Sequence, residues 1–303
     1  MRNLFLTLIP CLLLSLPALS QGCSDAGICT LAHLEAEQEA PKNMIGIGVA
    51  YGAADHEVSV ITPYFEYIRR LNRDFSINLK LTAQSASSEV ESTFGLGDLF
   101  LNVDYNFPQE ATIRHGLTGG IKIPLGSTDL QGADNEALPM VFQPTLGTLD
   151  LLLGYHFGYK GFNGSILYQQ PLSGENENDF DPADSNLEDP DQYPPSRKLE
   201  RQGDILIRLS YGLPFGQKKW LLEPSLLPIF HLGEDKYTPR VGSATSIKGS
   251  DGLTLNGNIK LQFQPNTNHQ IYFTAGSPFI NRDVIPDGLL RSFVAILGYR
   301  VHL

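Results

Sequence analysis

The chain has 303 residues, with 22 Lys and Arg against 33 Asp and Glu, a formal net charge of −11. A pI near 5.0 lacks the basic footprint that a nucleic-acid partner requires. Mean hydropathy is −0.12 and nothing after the N-terminus reads as a transmembrane helix, so the membrane class still open is a β-barrel, whose polar lumen and hydrophilic loops lower its average.

In chain order, Arg2 supplies a short positive start, Leu4 to Leu16 is almost wholly apolar, and Ala18-Leu19-Ser20 places small residues before a cut ahead of Gln21. The apolar run is shorter than the roughly 20 residues of a spanning helix. Residues 1–20 therefore read as a cleaved signal peptide, and the mature chain is expected to leave the cytoplasm. Acylation of Cys23 is the alternative, although Ser20-Gln21-Gly22 is a poor lipobox.

With Cys11 removed, Cys23 and Cys29 remain as a pair close to the mature N-terminus in an oxidising compartment, and a small disulfide loop is expected. A metal or redox site has weaker support, since only His33 is nearby and the spacing fits neither a Cys-x-x-Cys motif nor a zinc knuckle. No metal and no cofactor are expected. Leu31 to Glu39 is rich in Ala, Leu and Glu and is ended by Pro41, as a short helix would be. Residues 21–42 form an N-terminal segment distinct from the rest of the mature chain.

From Asn43 onward the period changes to two, the signature of strands with one apolar and one polar face. In Asp74 to Ala83, Phe75, Ile77, Leu79 and Leu81 oppose Ser76, Asn78, Lys80 and Thr82. The same alternation runs through Gly97 to Phe107, Thr148 to Tyr159, Asp204 to Tyr211, Leu253 to Phe263 and the terminal Phe293 to Leu303. Weaker runs lie at Asn43 to Gly52, Glu57 to Ile68, Gly116 to Pro124, Phe162 to Gln170, Lys219 to His231 and His269 to Gly276. The total is about twelve, an even number as in single-chain bacterial barrels.

The connections sort into two sets. After the brief link Ala53 to His56, one set is long: Ser85 to Phe94, Leu125 to Gln143, Pro171 to Glu200, Gly233 to Ser250 and Ser277 to Leu290. The alternate set is short: Arg69 to Arg73, Pro108 to His115, the Lys160 turn, Pro214 to Lys218 and Gln264 to Asn268. Short periplasmic turns alternating with long external loops are a barrel property that a soluble sandwich has no reason to share. The fold class is thus all-β, a transmembrane antiparallel β-barrel over residues 43–303. The loop Pro171 to Glu200 is acidic and proline-rich, a composition that is expected to stay solvated or mobile. Its carboxylates would suit a hard cation, but a hydrophilic external loop without a ligand is the simpler reading.

No phosphate loop, Rossmann glycine pattern, zinc-protease helix or nucleophile elbow occurs, and no enzyme activity is expected. His156, His231 and His302 fall at strand positions where a polar lumen accounts for them. The outer-membrane phospholipase, a twelve-stranded barrel enzyme, is a weaker alternative because nothing here aligns with its motif. The lumen-facing phase holds Lys80, Asp98, Asp104, Lys122, Asp150, Asp204, Arg208, Lys260 and Arg300, since charge facing lipid is costly. About twelve strands enclose more space than the eight that side chains alone fill. The interior is either a narrow pore or a lumen closed by paired charges and an inserted segment, for which residues 21–42 are the plug candidate.

Two resemblances complete the reading. The terminal strand, with Gly298, Tyr299, Val301 and Leu303, resembles the assembly signal of bacterial outer-membrane barrels, which implies outer-membrane lipid and the barrel assembly machinery as partners. Gly95-Leu-Gly-Asp98-Leu-Phe-Leu-Asn-Val-Asp104-Tyr, Gly119-Gly-Ile-Lys122-Ile-Pro124-Leu-Gly126 and Gly147-Thr-Leu-Asp150 followed by Gly154-Tyr155 resemble the outer-membrane transporter family named for the meta-pathway of phenol degradation, related to FadL-type channels. That resemblance implies passive uptake of small apolar or aromatic molecules. A closed structural or surface-interaction barrel is the rival reading.

Overall fold

The computed structural model describes residues 42–303, apart from 55–56, 90, 109–112, 188 and 290–291. The expected signal peptide, Cys23, Cys29 and the expected short helix of the plug candidate lie outside the described residues.

Twelve antiparallel strands form the barrel: β1 (Asn43–Ala53), β2 (Ser59–Arg70), β3 (Phe75–Ser87), β4 (Ser92–Asn106), β5 (Ile113–Pro124) and β6 (Asp150–Tyr159). They continue with β7 (Phe162–Pro171), β8 (Asp204–Tyr211), β9 (Trp220–His231), β10 (Gly252–Asn266), β11 (His269–Ile280) and β12 (Phe293–His302). Each pairs with its sequence neighbour, and β12 pairs with β1 through Gly48↔Gly298, so the sheet closes and leaves no edge. The short strand Leu213–Phe215 continues β8 along β9.

The period of two decides which side chains point out. Ile47, Leu153, Ile166, Ile259 and Leu297 on the outer phase are 47–57% exposed, while inner neighbours such as Leu152, Leu167 and Thr254 are buried. A largely apolar outer face on a closed sheet is built for hydrocarbon, because the backbone polar groups of the strands pair with one another around the barrel. This is a membrane-spanning barrel. At the end of the barrel that carries the short turns, the outer phase turns aromatic. Phe75, Tyr105 and Phe107 contact in series at 4.8 and 5.0 Å between centroids, and Trp220 stacks on Phe263 at 4.3 Å. A girdle of aromatic rings at this level, with Tyr105 and Trp220 among them, marks a membrane interface.

The short turns have the chemistry their geometry demands. Lys160 and Gly161 both take positive φ, 46° and 86°, in the two-residue hairpin between Tyr159 and Phe162, the conformation that matches strand twist. One connection expected to be long is short: β3 and β4 pair as far as Ser87↔Ser92. The alternation in Ser85 to Phe94 is silent because small polar residues carry the strand past the apolar belt.

The acidic loop corrects a second expectation. Residues 172–203 do not stay solvated: Phe180 and Leu199 are each 1% exposed. Asn178 Nδ2 donates to the carbonyls of Thr128 and Leu138 at 2.8 and 3.0 Å. Most of its carboxylates stay exposed, although Asp181 is buried and Asp179 pairs with Arg197 at 2.6 Å, and a few apolar and amide side chains anchor the loop, so bulk composition misjudges it. Met140 and Leu146 from loop 125–149, Leu199 from loop 172–203 and Ile247 from loop 232–251 share one apolar cluster. The long loops thus fold together as a cap over one mouth.

Candidate functional site

The barrel interior is organised by register. Cross-strand pairing aligns Arg300, Gly46, Glu66, Lys80, Phe100, Lys122 and Asp150 in one inward row over seven strands. Opposite charges meet along it. Arg300 Nε donates to Glu66 Oε1 at 2.5 Å, and Lys122 Nζ lies 2.9 Å from Asp150 Oδ2 and 3.2 Å from Thr148 Oγ1. Both pairs are almost fully buried, where a carboxylate without its cation would be strongly destabilising.

Glycine makes the Arg300 cluster fit. A Cβ at Gly46 would lie 2.3 Å from Glu66 Oε1, and one at Gly48 2.3 Å from the Tyr64 hydroxyl oxygen. The bare backbone of β1 therefore lets β2 side chains reach across toward β12 and β11. Tyr64 and Tyr272 share a hydroxyl hydrogen bond of 2.5 Å. Lys80 Nζ lies 4.5 Å from the Tyr64 ring centroid, while Arg300 and Lys260 lie 4.7 and 5.6 Å from that of Tyr272; such cation–ring contacts strengthen once water is excluded.

A different wall is apolar. Phe100, Leu152, Leu167, Leu206 and Leu227 form a buried cluster with Ile229 packed on it, contributed by β4, β6, β7, β8 and β9 on the inner phase. Barrel interiors are ordinarily polar, so the stripe departs from the default.

The remaining sequence candidates are dispersed. Asp104 accepts from Thr118 Oγ1 at 2.6 Å, and Arg208 donates to Glu223 at 3.0 Å. At a β-bulge, Thr82 of β3 faces both Gly97 and Asp98 of β4. Asp98 is thereby turned inward to accept from Thr145 Oγ1 of loop 125–149 at 2.6 Å. The same loop is tied down by Gln84, which donates to the Gln143 carbonyl at 2.7 Å, and by Thr93, which donates to the Phe142 carbonyl at 2.6 Å. His156 and His302 are buried on the inner phase.

Asp204 joins a network at the capped mouth. Arg201 Nη2 donates to Asp204 Oδ2 at 2.6 Å, and Asp204 Oδ1 lies 2.6 Å from His231 Nδ1. His231 Nε2 lies 2.8 Å from Asp235 Oδ1, whose other oxygen is 4.0 Å from Arg282 Nη1. Arg282 donates to Asp287 at 3.1 Å, and Asp287 returns to Arg201 at 3.3 Å. Burial alone would push the Asp287 carboxyl up, but Arg282 and Arg201 outweigh it and hold the group below the usual carboxylate range. Burial likewise disfavours the Arg201 charge, and the surrounding Asp204, Asp287 and Asp235 raise its value well above the ordinary one.

Sequence reading missed Glu66, Tyr64 and Tyr272 from the inner cluster and Arg201, Asp235, Arg282 and Asp287 from the mouth. Glu66 was recoverable, because Thr62, Tyr64 and Glu66 alternate with Ile61, Pro63, Phe65 and Tyr67. The loop residues have no periodic signal to find.

No protein-family model matches the chain, and no curated protein matches it. Solved structures do. A KdgM porin has TM-score 0.43 at 8% identity, covering 86% of this chain and 99% of that one. The CymD monoaromatic hydrocarbon channel has 0.43 at 9%, covering 87% and 89%. Outer membrane phospholipase A from Escherichia coli has 0.42 at 8%, covering 88% and 94%. Channels and an enzyme appear side by side in this likeness of barrel architecture.

Proposed function

We propose that the protein is an outer-membrane channel through which small, largely apolar molecules diffuse, and that the capped mouth is its closed state. The observation that carries this reading is the apolar inner stripe from Phe100 to Ile229. A lumen wall has no need of hydrocarbon side chains for solubility, and a stripe of them offers an apolar solute a partner that water does not. The motif resemblance to the phenol meta-pathway transporters supports aromatic cargo. The short-turn face is then periplasmic and the cap external. The terminal strand, with Val301 and Leu303 on the outer phase, is what the assembly machinery would engage. The charged pairs of the interior act as structural fasteners rather than catalytic groups.

A sealed structural barrel is the second reading, favoured by the complete burial of Lys122 and Asp150. Liposomes containing the refolded protein separate the two. Entry of a small neutral aromatic, faster than entry of a sugar of similar size, supports the channel. Vesicles as tight as protein-free ones to both solutes would establish the sealed barrel.

A further inference from the structure

We propose that His231 is a proton-operated latch for the cap, closed while its ring carries both protons and released when one is lost. As regulation of transport, the latch rests on the channel reading; as a property of the cap, it stands on geometry alone.

The network at the capped mouth is a closed ring of six side chains: Arg201, Asp204, His231, Asp235, Arg282, Asp287 and back to Arg201. All six are buried, with side chains at most 6% exposed. Two of them end barrel strands, Asp204 at the start of β8 and His231 at the end of β9. The others come from three loops: Arg201 from residues 172–203, Asp235 from 232–251, and Arg282 and Asp287 from 281–292. The ring therefore fastens three loops to the rim and to one another.

The protonation of His231 follows from its partners. Both ring nitrogens meet carboxylate oxygens, at 2.6 and 2.8 Å, and an ionised carboxylate only accepts. A neutral imidazole would turn one bare nitrogen lone pair onto such an oxygen. Each carboxylate has an arginine on its other oxygen, Arg201 2.6 Å from Asp204 and Arg282 4.0 Å from Asp235, so both ring nitrogens donate and the ring is imidazolium. The charges then cancel, three aspartates against two arginines and one histidine. Loss of the histidine proton leaves one net negative charge in a buried site and turns one hydrogen bond into a repulsion.

Beside the ring, Asp150 acts on Arg201 and is itself paired with Lys122 at 2.9 Å. Asp235 also engages the Gln202 and Ser250 segments, through Gln202 N to its Oδ1 and through its own N–H to Ser250 Oγ. The strand partner of His231 on β10 is Gly252. Histidine is the one member of the ring able to change charge in the neutral range.

The test uses the full refolded barrel in bilayers. The ring-nitrogen NMR shifts of His231 are followed from about pH 5 to about pH 9, with amide hydrogen exchange of loop segments 199–203, 232–236 and 281–289, corrected for intrinsic rate. We expect a doubly protonated ring at the acid end and exchange protection that falls at least about tenfold on deprotonation. His231→Gln should be unprotected at every pH, and His231→Arg, which keeps the charge, should be protected throughout. A ring already neutral at the acid end, or flat protection while the ring titrates, overturns the latch, and the NMR reading needs no variant to fold. A cap that loosens on vesicles that stay sealed would sustain the latch and defeat the channel. Solute entry alongside flat protection would do the reverse.

Discussion

Arg300 on the last strand meets Glu66 on the second directly above Gly46 on the first, with Nε 2.5 Å from Oε1. The contact lies beside the seam where β12 closes onto β1, so the ion pair is made only once the barrel is complete. Glu66→Gln strands a buried guanidinium and should destabilise the barrel by about 3–5 kcal/mol. Replacing both partners with apolar residues of similar size should cost much less. Urea midpoints of the folded band on unheated gels read both variants, and equal losses in single and double variants would show that the charge pair is irrelevant.

The same seam makes a prediction about glycine. A Cβ at Gly298 would lie 2.3 Å from Tyr272 Cζ, whereas one at Gly119 meets nothing within 4 Å. Gly298→Ala should therefore cost about 1–3 kcal/mol through overpacking, and Gly119→Ala should change stability by no more than about 0.5 kcal/mol. The comparison also separates a packing role of Gly298 from its expected part in the assembly signal, since packing alters the equilibrium midpoint and not only the yield of assembled protein.

Depth in the membrane can be read on a single strand. Leu297, halfway along β12, and Leu303, one residue past its end, are 53% and 62% exposed. Arginine at position 297 should cost about 2–4 kcal/mol and at 303 about 0–1 kcal/mol. Refolding equilibria in lipid vesicles measure this, and equal costs at the two depths would contradict a membrane-embedded face.

Orientation follows from the two kinds of connection. An epitope inserted after Gly174, where a side chain would have open space, should be labelled on intact cells. One placed at Gln217, in the turn at residues 216–218, should be labelled only after permeabilisation. The opposite pattern would invert the barrel.

Acid should loosen the cap through Asp287. Its folded value lies below the ordinary one, so its contribution is fully present above the unfolded carboxylate value, near 4, and is lost as pH falls through the folded value. Asp287→Asn should shrink that acid-side dependence, leaving the share of Asp204, and weaken the cap at neutral pH. Near-ultraviolet circular dichroism against pH reports it, and an unchanged acid limb in the variant would assign the dependence elsewhere.

The order of the strands and the side each face takes are legible in the amino-acid sequence, although the ends of β3 and β4 are not. Whether Lys80, Lys122 or Arg300 points inward is a local property, because the pleat sends alternate side chains to opposite sides and the apolar set at Ile77, Ile121 and Tyr299 has to face lipid. Which charges meet depends on how the folded barrel brings its strands and loops together. Glu66 and Arg300 are 234 positions apart, and Arg201 and Asp287 are 86 apart; each pair depends on closure and register, to which an alternating pattern is blind. The capped mouth was the least legible part, since its loops follow no period and their acidic composition conceals the few side chains, Phe180, Asn178 and Leu199, that hold them down. A charge in a strand declares its face through its neighbours, whereas a charge in a loop acquires a partner only when distant loops converge.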